Sequence, residues 1–149
     1  MTTGPMAETA WRLAARPDAA DDDPTLDELM STRMVAIVQE ATTMVALRLM
    51  ATTGVRHLPV MAGRRCLGVV AEIDLLHALG DPGGDAEPVR TRTRQVPVLL
   101  PGDRRSAAAA GMTAAGTDAV VVSDGERLVG LVTATDVLRS VAEQAGVDR

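Results

Sequence analysis

The feature that most limits what this chain can become is an internal register of 62 positions. Gly54 and Gly116, Gly63 and Gly125, Gly68 and Gly130, and Asp74 and Asp136 all stand 62 apart. Met50 and Met112, Val60 and Val122, and Leu76 and Leu138 keep the same offset. Turn residues, helix ends, apolar positions and an acidic residue held in one register mark a duplicated unit. One such unit offers a small sheet and two helices, too little to cover both helices' apolar faces. Two copies packed together are therefore the physical expectation.

The order within each copy is strand, helix, strand, strand, helix. Val35 to Val38 reads as a short β-branched strand. A helix over 43–53 follows, with Gly54 as its C-terminal cap. His57 to Met61 and Cys66 to Ala71 form a hairpin around Ala62-Gly63-Arg64-Arg65. A helix over Ile73 to Leu79 ends at the Gly/Pro-rich run Gly80-Asp81-Pro82-Gly83-Gly84. The second copy reads as a strand over Val96 to Leu100 and an Ala-rich helix over Arg105 to Ala115. A hairpin of Ala119 to Val122 and Leu128 to Thr133 follows, then a last helix over Thr135 to Glu143. The fold class is thus α/β (α+β): two pseudo-symmetric βαββα repeats over residues 25–80 and 93–149, joined by a linker at 81–92.

Residues 1–24 are rich in Ala, Asp, Thr and Pro and read as a flexible tail, from which Trp11 and Leu13 could dock a turn. Thr25 with Glu28 three residues on has the spacing of a capping box, ahead of the apolar Leu26, Leu29 and Met30.

Charge and composition remove several functions. The net charge is −5, and no basic block exceeds two residues, so a nucleic-acid backbone is not the expected partner. Trp11 is the only aromatic residue, which leaves no rings for base stacking on the folded body. No apolar run approaches the roughly 20 residues that span a bilayer, and the N-terminus lacks the basic-then-apolar pattern of a secretion signal. A soluble cytoplasmic protein is the expectation. His57 and His77 lie on different elements without metal-ligand spacing, so no metal is expected. Cys66 begins a strand that places it partly inside, and no basic neighbour in the repeat unit clearly activates it.

The chemistry concentrates where the last strand of each copy meets its helix: Gly68-Val69-Val70-Ala71-Glu72-Ile73-Asp74 and Gly130-Leu131-Val132-Thr133-Ala134-Thr135-Asp136. A helix N-terminus presents unpaired N–H groups to an anion. A threonine there can donate to a phosphate oxygen, whereas an ionised aspartate only accepts and so suits ribose hydroxyls. The plain alternative is that each polar side chain simply caps its helix.

Gly130 to Asp136 matches the Gly-apolar-x-Thr/Ser-x-x-Asp junction of CBS domains, and Gly54-Val55-Arg56-His57-Leu58-Pro59-Val60 is similar to that family's first-repeat strand start. Over residues 25–145 the chain resembles a CBS-domain pair, or Bateman module. The resemblance implies two clefts between the repeats, of the kind that take AMP, ADP, ATP or S-adenosylmethionine. In the cleft of Asp136 it implies Thr133 and Thr135 beside the phosphate, Ala36 and Val55 flanking adenine, and Arg56 and Thr117 near the phosphates. The second cleft keeps Asp74 but has Ala71 where Thr133 stands, and Asp118 faces it, so it should be weak or empty. A homodimer of four repeats in a flat disc is implied as well, packed through Ser106 to Ala115 and the helices starting near Asp74 and Asp136.

The expected function is non-catalytic: an adenine nucleotide or S-adenosylmethionine as regulatory ligand, no other cofactor, and signalling to a regulated protein that the sequence does not name. The alternative is a dimerisation scaffold with degenerate clefts. No nucleophile–base set or Walker loop supports an enzyme.

Overall fold

A computed structural model describes residues 23–31 and 33–147. Trp11, Leu13 and most of the N-terminal segment lie outside the described residues. The elements run α1 (Leu26–Leu29), β1 (Ile37–Val38), α2 (Thr43–Thr53), β2 (His57–Ala62), β3 (Arg65–Ala71) and α3 (Glu72–Leu79). Two 3-10 turns (Gly84–Ala86 and Val89–Arg92) lead to β4 (Val98–Leu99), α4 (Arg105–Ala115), β5 (Ala119–Asp124), β6 (Arg127–Thr133) and α5 (Ala134–Val147). The helix and hairpin positions are those the register predicts. The first strand of each copy is only two residues long, because only Ile37–Val38 and Val98–Leu99 pair with a neighbour.

Each repeat makes its own three-stranded sheet, ordered β1-β2-β3 and β4-β5-β6. The outer strand runs parallel to the middle one, and the hairpin is antiparallel. Even the irregularity repeats: the hairpin register shifts at Val60/Met61 and at Val122/Ser123. Both middle helices end on a glycine in the left-handed conformation, Gly54 at φ 80° and Gly116 at φ 66°, which an L side chain resists.

Among the described residues the core has three parts. One lies within the first repeat around Met50, Leu58, Val60, Val70 and Leu75. A second lies around Met112, Val120, Val122 and Val132. The third joins Val69 of the first repeat to Ala119, Val121 and Leu131 of the second, and forms the seam. With no Phe, Tyr or Trp among the described residues, aliphatic side chains supply this burial, each contributing roughly 1.5–3 kcal/mol.

Packing crosses the sequence order. The fully buried Leu26 of α1 belongs to the second repeat's core, with Leu29 and Met30 packed against it. The buried Val89, from the stretch after α3, completes the first repeat's core. The helix starts are held the same way: Thr43 N–H donates to Glu87 O at 2.8 Å, and Arg105 N–H donates to Pro24 O at 2.9 Å. The segment between the repeats is therefore structured, with both 3-10 turns docked on the first repeat.

Two local expectations change. The Thr25 side chain does not cap α1. Its hydroxyl donates to Asp27, two residues on, which intercepts it before Glu28 can complete a capping box. Asp23, read as part of the tail, instead caps α4. Its Oδ1 accepts from Ser106 N–H at 2.8 Å and its other oxygen accepts from the Ser106 hydroxyl.

Candidate functional site

The two strand-to-helix junctions open into two clefts along the seam. The first, about 460 Å³, brings together Thr133, Thr135 and Asp136 of the second repeat with Val55 and Arg56 of the first. Met34, Val35, Pro59 and Leu131 give it apolar walls, and Arg33 and Arg139 also line it. The second, about 300 Å³, is lined by Ala71, Asp74, Arg94, Thr117 and Asp118, with Ile73 and Val69. Ligand pockets commonly fall in the range of about 300–1,000 Å³.

The clefts are related position by position. Val55, Arg56, Thr133, Thr135 and Asp136 of the first correspond at the offset of 62 to Thr117, Asp118, Ala71, Ile73 and Asp74 of the second. Of the residues expected in the first cleft, Thr133, Thr135, Asp136, Val55 and Arg56 are brought together there. Thr117 is not: it lines the second cleft, and its hydroxyl donates to Ala119 O at 3.2 Å. The physical reason is the pseudo-two-fold, which gives the strand start of each repeat to the cleft of the other repeat's junction. Ala36 is exposed and lies outside the lining of both clefts, where Met34 and Val35 stand instead.

At the first junction Thr133 and Asp136 bind each other. Asp136 Oδ2 accepts from Thr133 N–H at 2.9 Å and from its hydroxyl at 3.0 Å, while Asp136 N–H approaches Thr133 Oγ1 at 3.3 Å. This is a capping arrangement, and it commits the Thr133 proton to Asp136. The hydroxyl thereby aims the carboxylate. Among the described residues, the hydrogen-bond partner of Oδ1 is Arg139 Nη1, at 3.5 Å. Thr135 is exposed and its hydroxyl makes no hydrogen bond among the described residues, so of the two junction threonines it is the one with a hydroxyl open to a ligand.

At the second junction Ala71 has no hydroxyl with which to hold Asp74. Arg94 takes the carboxylate instead, Nε to Oδ2 at 2.9 Å and Nη2 to Oδ1 at 2.8 Å. Hydrogen bonding and attraction to Asp74 raise the Arg94 pKa above its ordinary value. Nothing in the motif marks Arg94, which lies beyond the 3-10 turns. Its signal is structural: its main chain pairs with Val69 of β3, through N–H to O bonds of 2.9 Å in both directions.

His57 lines both clefts, and its Nε2 lies 3.0 Å from Asp118 Oδ2, tying the two strand starts across the seam. The Cys66 thiol is partly buried and lies 3.4 Å from Gly68 O, and burial pushes its pKa up. Among the described residues there is no group of three or more His, Cys, Asp or Glu that could hold a metal ion. No helix among them is long and apolar enough to cross a membrane.

A tandem βαββα architecture with paired junction clefts is the arrangement of a CBS-domain pair, and the CBS domain model matches this chain twice, over residues 26–81 and 89–143. The chain belongs to the CBS domain family. None of the curated proteins matches it. Among solved structures it is similar to the CBS domain pair of protein MJ0100 in complex with 5-methylthioadenosine and S-adenosyl-L-methionine, at 18% identity and TM-score 0.73, covering 82% of this chain and 98% of that one. The CBS domain of the bacterial CNNM/CorC family Mg2+ transporter in complex with ATP is similar at 23% identity and TM-score 0.69, with 79% and 87% covered. A hemolysin-like CBS protein of Oenococcus oeni gives 20%, 0.70, 80% and 91%. At these identities the likeness is one of fold.

Proposed function

We propose that this chain is a non-catalytic regulatory module, cytoplasmic, that takes an adenine nucleotide in its first cleft and signals its occupancy to a partner protein. The observation that carries the reading is the Thr133–Asp136 pair, aimed across the seam at Val55 and Arg56 in a cleft of about 460 Å³. Asp136 Oδ1 accepts from a ribose hydroxyl, apolar Val35 and Val55 flank the base, and Thr135 and Arg56 meet the phosphates. Structures similar in fold carry ATP or S-adenosyl-L-methionine, which supports the ligand class. Because the site is built from both repeats, a ligand that prefers one arrangement of the repeats shifts the population toward it.

The module acts as a homodimer. The helices that follow the two junctions expose apolar side chains at matching positions: Leu76 and Leu79 on α3, Leu138 and Val141 on α5. A second copy covering these faces makes a flat four-repeat assembly. Sedimentation should give twice the chain mass, and Leu138→Glu with Leu76→Glu should return a monomer.

Thermal unfolding with AMP, ADP, ATP and S-adenosylmethionine tests the ligand. A compound at about 100 times its dissociation constant should add about 2.7 kcal/mol of stability. Asp136→Ala should remove that gain and Asp74→Ala should keep it. A melting point unmoved by every adenosine compound would leave a scaffold with empty clefts.

A further inference from the structure

The two clefts share a scaffold and carry opposite charge. Among the described residues, the first is lined by three guanidiniums, Arg33, Arg56 and Arg139, against the single carboxylate of Asp136. The second, again among the described residues, sets the carboxylates of Asp74 and Asp118 against one guanidinium, Arg94. The difference is sharpest at one equivalent pair, where Arg56 in the first cleft becomes Asp118 in the second.

The cations of the first cleft are also uncommitted. The guanidiniums of Arg33 and Arg56 are exposed and make no ion pair or hydrogen bond among the described residues. Arg139 only brushes Asp136 at 3.5 Å, and its side chain is 62% exposed. In the second cleft the reverse holds, since Arg94 is held by two bonds to Asp74. A guanidinium matches a phosphate with paired donors, and converging cations gain most from a ligand with several negative oxygens.

We infer that the first cleft selects its ligand by charge, with Arg33 and Arg139 acting beside Arg56 as specificity-determining residues for a chain of two or more phosphates. This rests on the nucleotide reading above and narrows it to a nucleoside di- or triphosphate, against adenosine or a cationic sulfonium. The second cleft rejects the same ligand, because Asp74 and Asp118 repel phosphate and Arg94 is already spent. Each chain therefore takes one polyphosphate.

Titration calorimetry on the full chain tests this with ATP, ADP, AMP, adenosine, S-adenosylmethionine and inorganic tripolyphosphate. Affinity should fall in the order ATP, ADP, AMP, adenosine, with one ATP per chain and S-adenosylmethionine weaker than AMP. Arg33→Ala and Arg139→Ala should each weaken ATP about tenfold and adenosine less than about twofold, since only the charged contact is lost. Raising the salt should weaken ATP and spare adenosine. The melting points of the unliganded variants show that they are folded.

Tripolyphosphate separates the two claims. If it binds and loses affinity in both arginine variants while adenosine adds nothing, the charge selection stands and the nucleotide reading falls. If adenosine, AMP and ATP bind equally, or the arginine variants bind ATP as the wild type does, the charge selection is overturned and the nucleotide reading stands. No binding of any probe overturns both.

Discussion

Arg94 grips Asp74 with two parallel hydrogen bonds, 2.9 and 2.8 Å, from a segment that also pairs its main chain with β3. The partners differ in exposure: the Asp74 side chain is 12% exposed and that of Arg94 is 58%. Removing the arginine strands a mostly buried carboxylate, whereas removing both leaves nothing unsatisfied. Arg94→Ala should cost about 1–2 kcal/mol, after allowance for the solvent that screens the guanidinium. The Asp74→Ala, Arg94→Ala double variant should lose less than the sum of the singles by about 1 kcal/mol. Urea unfolding of the four proteins measures this, and strictly additive losses would mean that the pair contributes nothing.

Gly68 and Gly130 are equivalent in sequence but should respond differently to alanine. A Cβ on Gly68 would lie 2.2 Å from the Arg94 carbonyl oxygen, and its φ of 151° already disfavours a side chain. A Cβ on Gly130 would meet the Met30 side chain, its Sδ at 2.3 Å, Cγ at 2.8 Å and Cβ at 2.9 Å; the sulfur and Cγ can rotate away, and only the Cβ contact asks for a small backbone shift. Gly68→Ala should cost at least about 3 kcal/mol and Gly130→Ala about 1–2 kcal/mol. Equal melting points for the two variants would contradict this.

Asp23 ties residues before α1 to the start of α4. Burial raises its pKa, but the hydrogen bonds from Ser106 and the nearby Arg105 and Arg104 outweigh this and hold the carboxyl below its ordinary value. A lowered native pKa means that the stabilisation is complete above the ordinary aspartate range and fades as the pH falls through the lowered value. Asp23→Ala should lower stability by about 0.5–1 kcal/mol near neutral pH, the usual worth of a helix cap. The gap between the two proteins should close in acid, which unfolding curves at several pH values would reveal.

The Cys66 thiol should be slow. Its pKa is pushed up by burial, so little thiolate exists near neutral pH. Ellman's reagent at pH 8 should label the native protein at least about tenfold more slowly than the urea-unfolded chain. Equal rates would place the sulfur in open solvent.

Much of the fold was legible because a repeat announces itself twice. The apolar strands, the glycines after α2 and α4 and the hairpin turns all follow from local pattern, and the offset of 62 checks each against its copy. Thr133, Asp136, Val55 and Arg56 came from the same source and do meet in one cleft. What the pattern could not carry was contact between distant segments. Thr117 went to the wrong side of the seam because a linear motif does not show that the pseudo-two-fold exchanges strand starts. Arg33, Arg94 and Arg139 sit outside any motif and gain meaning only from the walls they share. Asp23 looked like one more acid in a solvated run, and its role depends on Ser106, 83 residues away.

The crossing of α1 to the second repeat and of Val89 to the first has a consequence for where this protein can be divided. A cut between the copies, say after Pro82, would not yield two half-proteins. One piece would keep a lead segment made for its sibling and lack its own closing turn, while the other would miss Leu26 and the Asp23 cap. Duplication in the sequence and autonomy in folding follow different borders here, so the two halves should be lost or kept together.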